Sequence, residues 1–188
     1  MRTSLVLGLL LLAVPVLAAS KGGVTLPDTV DVGGKTLVLN GIALRSKTLI
    51  ITINVYVAGL YLPAKENSAE KILAADEPRR MVMHFLTSRA TKGKIVETWE
   101  AGLKANTPNA SDEVKKNWAT LIGWMEGMGP GKTMVFTYVP GEGTKVEISG
   151  KVKGTLAGKA TADAILNTWL GPKPDAGQRF KRDVLGQK

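Results

Sequence analysis

Residues 35–62 read KTLVLNGIALRSKTLIITINVYVAGLYL, and this segment is the most informative about the architecture of the chain. Branched and aromatic side chains, which suit a pleated surface, dominate both of its halves, Lys35 to Arg45 and Leu49 to Leu62. Pro63 ends the second half, since proline cannot donate to a strand ladder. The stretch is too β-branched for a helix. It predicts two long strands.

In the rest of the chain, the spacing of apolar residues changes between the period of a strand and that of a helix. Further strands are predicted at 81–86, 133–139, 144–149 and 152–156, and the turn Pro140-Gly141-Glu142-Gly143 makes a hairpin of two of them. Amphipathic spacing and capping residues predict helices at 68–74, 91–104, 111–125, 161–170 and 175–185. Strands joined by short turns, with helices grouped separately, predict an α+β domain: an open-faced antiparallel β-sheet packed on one face by helices.

The N-terminus has the pattern of a secretory signal peptide. Arg2 gives a basic start, Leu5 to Val16 form an apolar segment, and Val16-Leu17-Ala18 is a small-residue cleavage site. The segment is shorter than the roughly 20 apolar residues that span a bilayer, so no stable membrane anchor is expected. We therefore predict a signal peptide over 1–18, one domain over 19–188, and a periplasmic or secreted location.

Composition excludes several classes of chemistry. The chain has no cysteine and a single histidine, His84, so thiolate nucleophiles and two-histidine zinc sites are excluded. We expect no metal, no cofactor and no catalytic residue of these types. Removing Arg2 with the signal leaves 24 basic and 16 acidic residues, a formal charge of +8. The charge is spread thinly, which argues against a nucleic-acid surface and leaves anionic small molecules as candidate partners.

Four motifs, in order along the chain, resemble the chalcone isomerase-like family and in particular its exported bacterial branch. They are NGIALR at 40–45, VYVAGLYL at 55–62, YVPGEGT at 138–144 and AILNTWLG at 164–171. The resemblance spans Gly33 to Gly186 and implies an open-faced sheet with a ligand cleft between the sheet and its helices. In this family the cleft serves either cyclisation of chalcones or the binding of fatty acids.

The resemblance also implies site residues. Arg45 matches the arginine that both branches use, and Tyr56 matches the tyrosine with which the fatty-acid binders hold a carboxylate. Thr168 and Trp169 match the pair that lines the cleft from the penultimate helix. Tyr61 is a further candidate, as a strand aromatic with its hydroxyl at the rim. The predicted ligand-binding set is thus Arg45, Tyr56, Thr168, Trp169 and Tyr61.

Three functions stay open at this point. The first is an exported binding protein for a fatty acid or similar apolar carboxylate, that is, a small amphipathic anion. The second is a weak isomerase, an intramolecular lyase of the chalcone isomerase type, or an enzyme on another substrate. The enzymes' remaining catalytic tyrosine and asparagine align with Lys94 or Ile95 and with Gly102, which disfavours this alternative. The third is an envelope protein that binds partners through its basic surface.

Overall fold

A computed structural model of the chain describes residues 18–48 and 50–187. The predicted signal peptide, except Ala18, and Leu49 at the start of the predicted second strand lie outside the described residues. The strands are β1 (Ala18–Lys21), β2 (Val24–Pro27), β3 (Thr29–Val32), β4 (Lys35–Thr48), β5 (Thr52–Leu62), β6 (Arg79–Phe85), β7 (Thr133–Val139), β8 (Gly143–Ile148) and β9 (Lys151–Leu156). The helices are α1 (Ala69–Ala74), α2 (Lys92–Asn106), α3 (Asp112–Trp124), α4 (Lys159–Leu170) and α5 (Gln178–Val184).

Seven of the strands form one antiparallel sheet in the order β3-β4-β5-β6-β7-β8-β9. Each strand pairs with its neighbours in sequence, so the sheet is a continuous meander. Helices pack on this sheet, which confirms the predicted α+β class. No helix in the described ranges combines the length and apolarity needed to cross a membrane.

The alternation of side chains along β5 separates two apolar clusters. Tyr56, Ala58 and Leu60 point into the main core beneath the helices. Tyr61 points the other way, into a smaller cluster with Leu26 of β2. The face opposite the helices is therefore partly covered by the β1–β2 hairpin, which the sequence did not predict because strands of four residues are too short to show a period.

Asn40 and Gly41 fix the C-terminal helix against β4. A Cβ on Gly41 would lie 2.2 Å from the Asp183 carbonyl oxygen, so only glycine allows this approach. Asn40 Nδ2 donates to the carbonyls of Glu66 and Val184, both at 3.0 Å, and Asn40 Oδ1 accepts from the Glu66 amide. The NGIALR motif thus begins, five residues before Arg45, with residues that pack β4 against the C-terminal helix.

Helix α5 begins later than predicted. The sequence indicated a start at Asp175, whereas the helix starts at Gln178 after Gly177, whose φ is 88°. A positive φ interrupts a right-handed helix. Asp175 therefore lies on an irregular segment, where its side chain can reach across to the sheet.

Candidate functional site

A cleft of about 450 Å³ opens between the sheet and α2 and α4. This volume lies in the ordinary range for small-molecule sites, about 300 to 1,000 Å³. Most of its inner wall is apolar. The apolar lining residues are Ile53, Val55, Tyr56, Met83, Phe85, Ala90, Ile95, Trp99, Ala101 and Trp169.

A β-bulge brings Val55 into this cleft beside Tyr56. Arg45 pairs with Tyr56, but Ser46 pairs with Asn54, so Val55 is the extra residue of β5. Both Val55 and Tyr56 consequently line the cleft, although adjacent strand residues normally face opposite sides. The bulge places Tyr56 directly beside Arg45.

The guanidinium of Arg45 is already paired with a carboxylate. Its Nη2 donates to Asp175 Oδ2 at 3.3 Å, and the two side chains are 20% and 37% exposed. Both residues line the cleft. The positive charge at this end of the cleft is therefore accessible, and it is partly compensated by a neighbour that an incoming anion would have to displace or tolerate.

Tyr56 is buried and is held by Trp169. The indole Nε1–H of Trp169 donates to Tyr56 Oη at 3.0 Å. Among the described residues this is the only hydrogen bond that the Tyr56 hydroxyl makes, so its proton is not donated to any of them. Burial raises the pKa of Tyr56, a residue that lines the cleft, so its hydroxyl stays protonated at physiological pH and keeps a proton to donate.

Aromatic rings make up the inner end of the cleft. Tyr56 packs at 5.5 Å against Phe85, and Trp169 packs edge-on at 5.4 Å against Trp99. These separations are typical of favourable aromatic pairs. Tyr56 thus belongs to a wall of packed aromatic rings.

The segment that carries Asp175 is fixed by Asn106 at the end of α2. Asn106 Nδ2 donates to the Lys173 carbonyl at 3.0 Å, and Asn106 Oδ1 accepts from the Lys173 amide at 2.8 Å. A Cβ on Gly171 would lie 2.4 Å from Asn106 Oδ1, so glycine is required for this contact. Asp175 is therefore held in place by its backbone.

The four residues matched to the family's cleft come together, but Thr168 offers no free hydroxyl. Arg45, Tyr56, Thr168 and Trp169 all line the cleft. Thr168 Oγ1 donates to the Ile165 carbonyl of its own helix at 2.8 Å. Its methyl group packs against Gly102, where an added Cβ would lie 3.1 Å away. Thr168 thus shapes the contact between α2 and α4.

Tyr61 does not join the other four residues. It faces the opposite side of the sheet, and its hydroxyl donates to the Pro27 carbonyl at 2.9 Å. Burial raises its pKa to about 12. Tyr61 is five residues beyond Tyr56, and the extra residue of the irregularity opposite Leu60 and Tyr61 is Asn40 on β4, so alternation along β5 places the two tyrosines on opposite faces. That signal was available in the sequence.

Several rim residues were not predicted from the sequence as ligand contacts. The lining includes the cations Lys47, Arg89 and Lys94 in addition to Arg45, and two carboxylates, Glu97 and Asp175. Their spacing along the chain shows no pattern, since they come from four separate segments. The cleft as a whole favours an anion.

The described residues contain no group of three metal-ligating side chains. His84 alternates with Met83 and Phe85, which line the cleft, and therefore points away from it. Desolvation lowers its pKa, so it is neutral at physiological pH.

Comparison with known proteins agrees with this fold. The profile of the family described as chalcone isomerase-like matches residues 18–186. A search of curated protein sequences gave no match. Among solved structures, the crystal structure of a fatty-acid-binding protein from Arabidopsis thaliana superposes with a TM-score of 0.69 at 19% identity, covering 90% of this chain and 96% of that one. On the strength of the profile match, the chain belongs to the chalcone isomerase-like family.

Proposed function

We propose that the protein is an exported binding protein for a fatty acid or a similar apolar carboxylate. One observation carries the proposal: Arg45 and Tyr56 pair across β4 and β5 and both line one apolar cleft, where no described residue accepts a hydrogen bond from the Tyr56 hydroxyl. A cation and a neutral donor match the two oxygens of a carboxylate. The apolar wall suits an alkyl tail.

Burial of the ligand's alkyl tail would supply most of the affinity, and contacts to its carboxylate would fix its orientation. Hydrogen bonds to a charged group contribute about 1.5 to 3 kcal/mol each. Ten buried methylenes would contribute about 8 kcal/mol before the costs of ordering the ligand. Arg45 and Tyr56 would therefore select carboxylates over uncharged analogues of the same length.

The fold neighbour supports this choice of ligand, because it is a fatty-acid-binding protein. The identity of Tyr56 supports it too, since a tyrosine at this position is the fatty-acid binders' choice. The rim cations would attract the anion from solution.

Calorimetry with dodecanoate tests the proposal. Arg45→Ala should weaken dodecanoate binding by about 1.5 to 3 kcal/mol, roughly tenfold to a hundredfold, because the charge-assisted contact is lost. Arg45→Lys should recover part of the affinity, since the ammonium keeps the charge without the planar fork. Methyl dodecanoate should bind wild type and Arg45→Ala equally. Equal affinity of these two proteins for the free acid would exclude Arg45 as the anchor.

Tyr56→Phe is a less clean variant. It removes the donor to the ligand, but it also removes the acceptor of the Trp169 indole N–H, which is buried. An unsatisfied buried donor costs about 1 to 3 kcal/mol, so the variant should lose stability as well as affinity. Arg45→Ala, whose side chain is partly exposed, separates the two effects better.

The isomerase alternative lacks the enzymes' tyrosine and asparagine at the expected places. Ile95 and Lys94 line the cleft, while Gly102 contributes no functional group and packs against Thr168. Arg45 cannot act as a base at neutral pH. We expect no chalcone cyclisation above the uncatalysed rate; saturable turnover that disappears in Arg45→Ala would favour the enzyme instead.

Export is the second part of the proposal. Cleavage after Ala18 would leave Ala19 to Lys21 to pair with β2, so the mature chain would keep most of this hairpin. Lys21 also donates to Asp183 Oδ2 at 2.5 Å, which ties the hairpin to α5. Intact-mass analysis of the native protein should give an N-terminus at Ala19 or within a residue or two; retention of Met1 would contradict export.

A further inference from the structure

The hairpin of β4 and β5 ends in an exposed apolar tip. Thr48 and Thr52 form its last pair, with their hydroxyl oxygens 3.0 Å apart. Beyond them, Ile50 is 101% exposed and Ile51 is 58% exposed. Within the described residues, Val152 on the edge strand β9 is the only other exposed large hydrophobic side chain.

The composition of the tip is not explained by folding. Hairpin turns favour Gly, Asn and Asp, which adopt the required backbone conformations and are well solvated. Ile50 and Ile51 offer neither advantage, and they are not buried against the domain. Two adjacent exposed isoleucines indicate a surface that contacts something apolar.

The tip is continuous with the mouth of the cleft. Lys47 and Ile53, one pair below Thr48 and Thr52, both line the cleft. Ile51 is five residues before Tyr56, a distance of about 16 Å along an extended strand. One wall of the cleft therefore runs from Arg45 and Tyr56, where the ligand carboxylate would bind, directly to the apolar tip.

The charge around the mouth indicates what the tip contacts. Lys47, Arg89 and Lys94 are exposed there, against the carboxylates Glu97 and Asp175. Exposed apolar side chains backed by cations are the arrangement with which peripheral proteins bind anionic bilayers. The cations at the mouth thus favour an anionic apolar surface such as a bilayer.

We propose that Ile50 and Ile51 insert into the headgroup boundary of an anionic bilayer, with the rim cations on the lipid headgroups and the mouth of the cleft facing the membrane. The contact is peripheral and reversible, since two side chains are far less than an anchor. Resting on the proposed function, this makes the ligand an apolar acid taken from or delivered to the bilayer.

Vesicle cosedimentation tests the contact. The probe is phosphatidylcholine vesicles with about one third phosphatidylglycerol, compared with pure phosphatidylcholine. The mature wild-type protein should bind the anionic vesicles, and Ile50→Ser/Ile51→Ser should lower the partition coefficient at least about tenfold. Val152→Ser is the matched control, because it removes an exposed apolar side chain from the far edge of the sheet, and it should bind like wild type.

A charge variant tests the second half of the proposal. Lys47→Gln/Lys94→Gln should weaken binding to anionic vesicles and reduce its dependence on salt, while leaving the weak binding to neutral vesicles unchanged. Absence of wild-type binding to anionic vesicles would overturn the proposal. So would equal losses in the tip variant and in Val152→Ser, or a wild-type dimer that the tip variant converts to monomer.

Titration with dodecanoate in the absence of vesicles separates this proposal from the proposed function. The tip variant should keep wild-type affinity for the acid, because Ile50 and Ile51 do not line the cleft. Acid binding without vesicle binding would refute the membrane contact alone. Vesicle binding without acid binding would refute the proposed ligand alone.

Discussion

Asp175→Asn is the most informative substitution in the cleft. In the structure Asp175 forms an ion pair with the guanidinium that a ligand carboxylate would contact. The distance between Arg45 Nη2 and Asp175 Oδ2 is 3.3 Å. Asparagine has nearly the same shape and still offers an oxygen acceptor, but it carries no charge. The substitution therefore removes a competitor for Arg45 and a like charge beside the ligand. We expect it to strengthen the binding of apolar carboxylates.

The magnitude follows from the geometry. Two carboxylates that share one guanidinium lie about 6 Å apart, and at an effective dielectric of about 20 to 40 their repulsion is about 1.5 to 3 kcal/mol. Asp175 is 37% exposed, so screening by solvent reduces this to about 1 to 2 kcal/mol. Dodecanoate should bind Asp175→Asn roughly five- to thirtyfold more tightly than wild type.

Calorimetry at low and moderate salt measures this change, and methyl dodecanoate is the internal control. The ester should bind both proteins equally, because it does not interact with the charge of Asp175. Stability should change by no more than about 1 kcal/mol, since the ion pair is partly exposed. Unchanged or weaker binding of the acid would refute the reasoning and would mean that Asp175 positions Arg45 for the ligand.

Two further predictions concern stability. Gly41→Ala should lower the free energy of unfolding by about 1 to 3 kcal/mol in urea titrations, because the added Cβ would collide with the Asp183 carbonyl. Gly93→Ala on α2 is the control, since its Cβ would lie in open space. It should raise the free energy of unfolding by up to about 1 kcal/mol, because alanine favours the helix over glycine. The pKa values of all three tyrosines are raised, chiefly by burial, so the native protein should show little tyrosinate absorbance at pH 10. The unfolded chain releases these protons first, so stability should be intact below pH about 10 and fall above it; a normal tyrosine titration of the native protein would contradict the burial.

Much of the fold follows from hydrophobic period, while the pairing of polar groups in the cleft does not. The β-branched residues at 35–62 predicted two long strands, and both form, although Ile50 and Ile51 lie in the exposed turn before Thr52 and not in the strand; the amphipathic spacing at 91–104 and 111–125 predicted α2 and α3. The Arg45–Asp175 pair joins residues 130 positions apart. No local pattern encodes such a contact, because it depends on how α5 and the segment before it return to the first long strand.

In the candidate site too, the placement of residues within one motif or strand pair was predictable, whereas hydrogen bonds between residues far apart in the chain were not. Arg45 and Tyr56 are adjacent because of strand register, and the sequence motifs already placed them in one site. The free donor of Tyr56 was not predictable, since it depends on Trp169 donating to the hydroxyl from 113 residues away. Had the indole been absent, the hydroxyl could have turned its proton elsewhere.

The electrostatics of the cleft favour a ligand with a permanent charge over a reaction that develops one. A catalytic oxyanion site needs donors with no competing anion, together with a group whose pKa lies near the working pH. Here Arg45 is paired with Asp175, and the raised pKa of Tyr56 keeps its proton in place. A carboxylate that arrives fully charged can compete with Asp175 for the guanidinium, whereas a partial charge that exists only in a transition state competes poorly. An uncharged or weakly polar head group therefore cannot compete with Asp175 for the Arg45 guanidinium. The binding of such ligands must depend on contacts with the apolar wall.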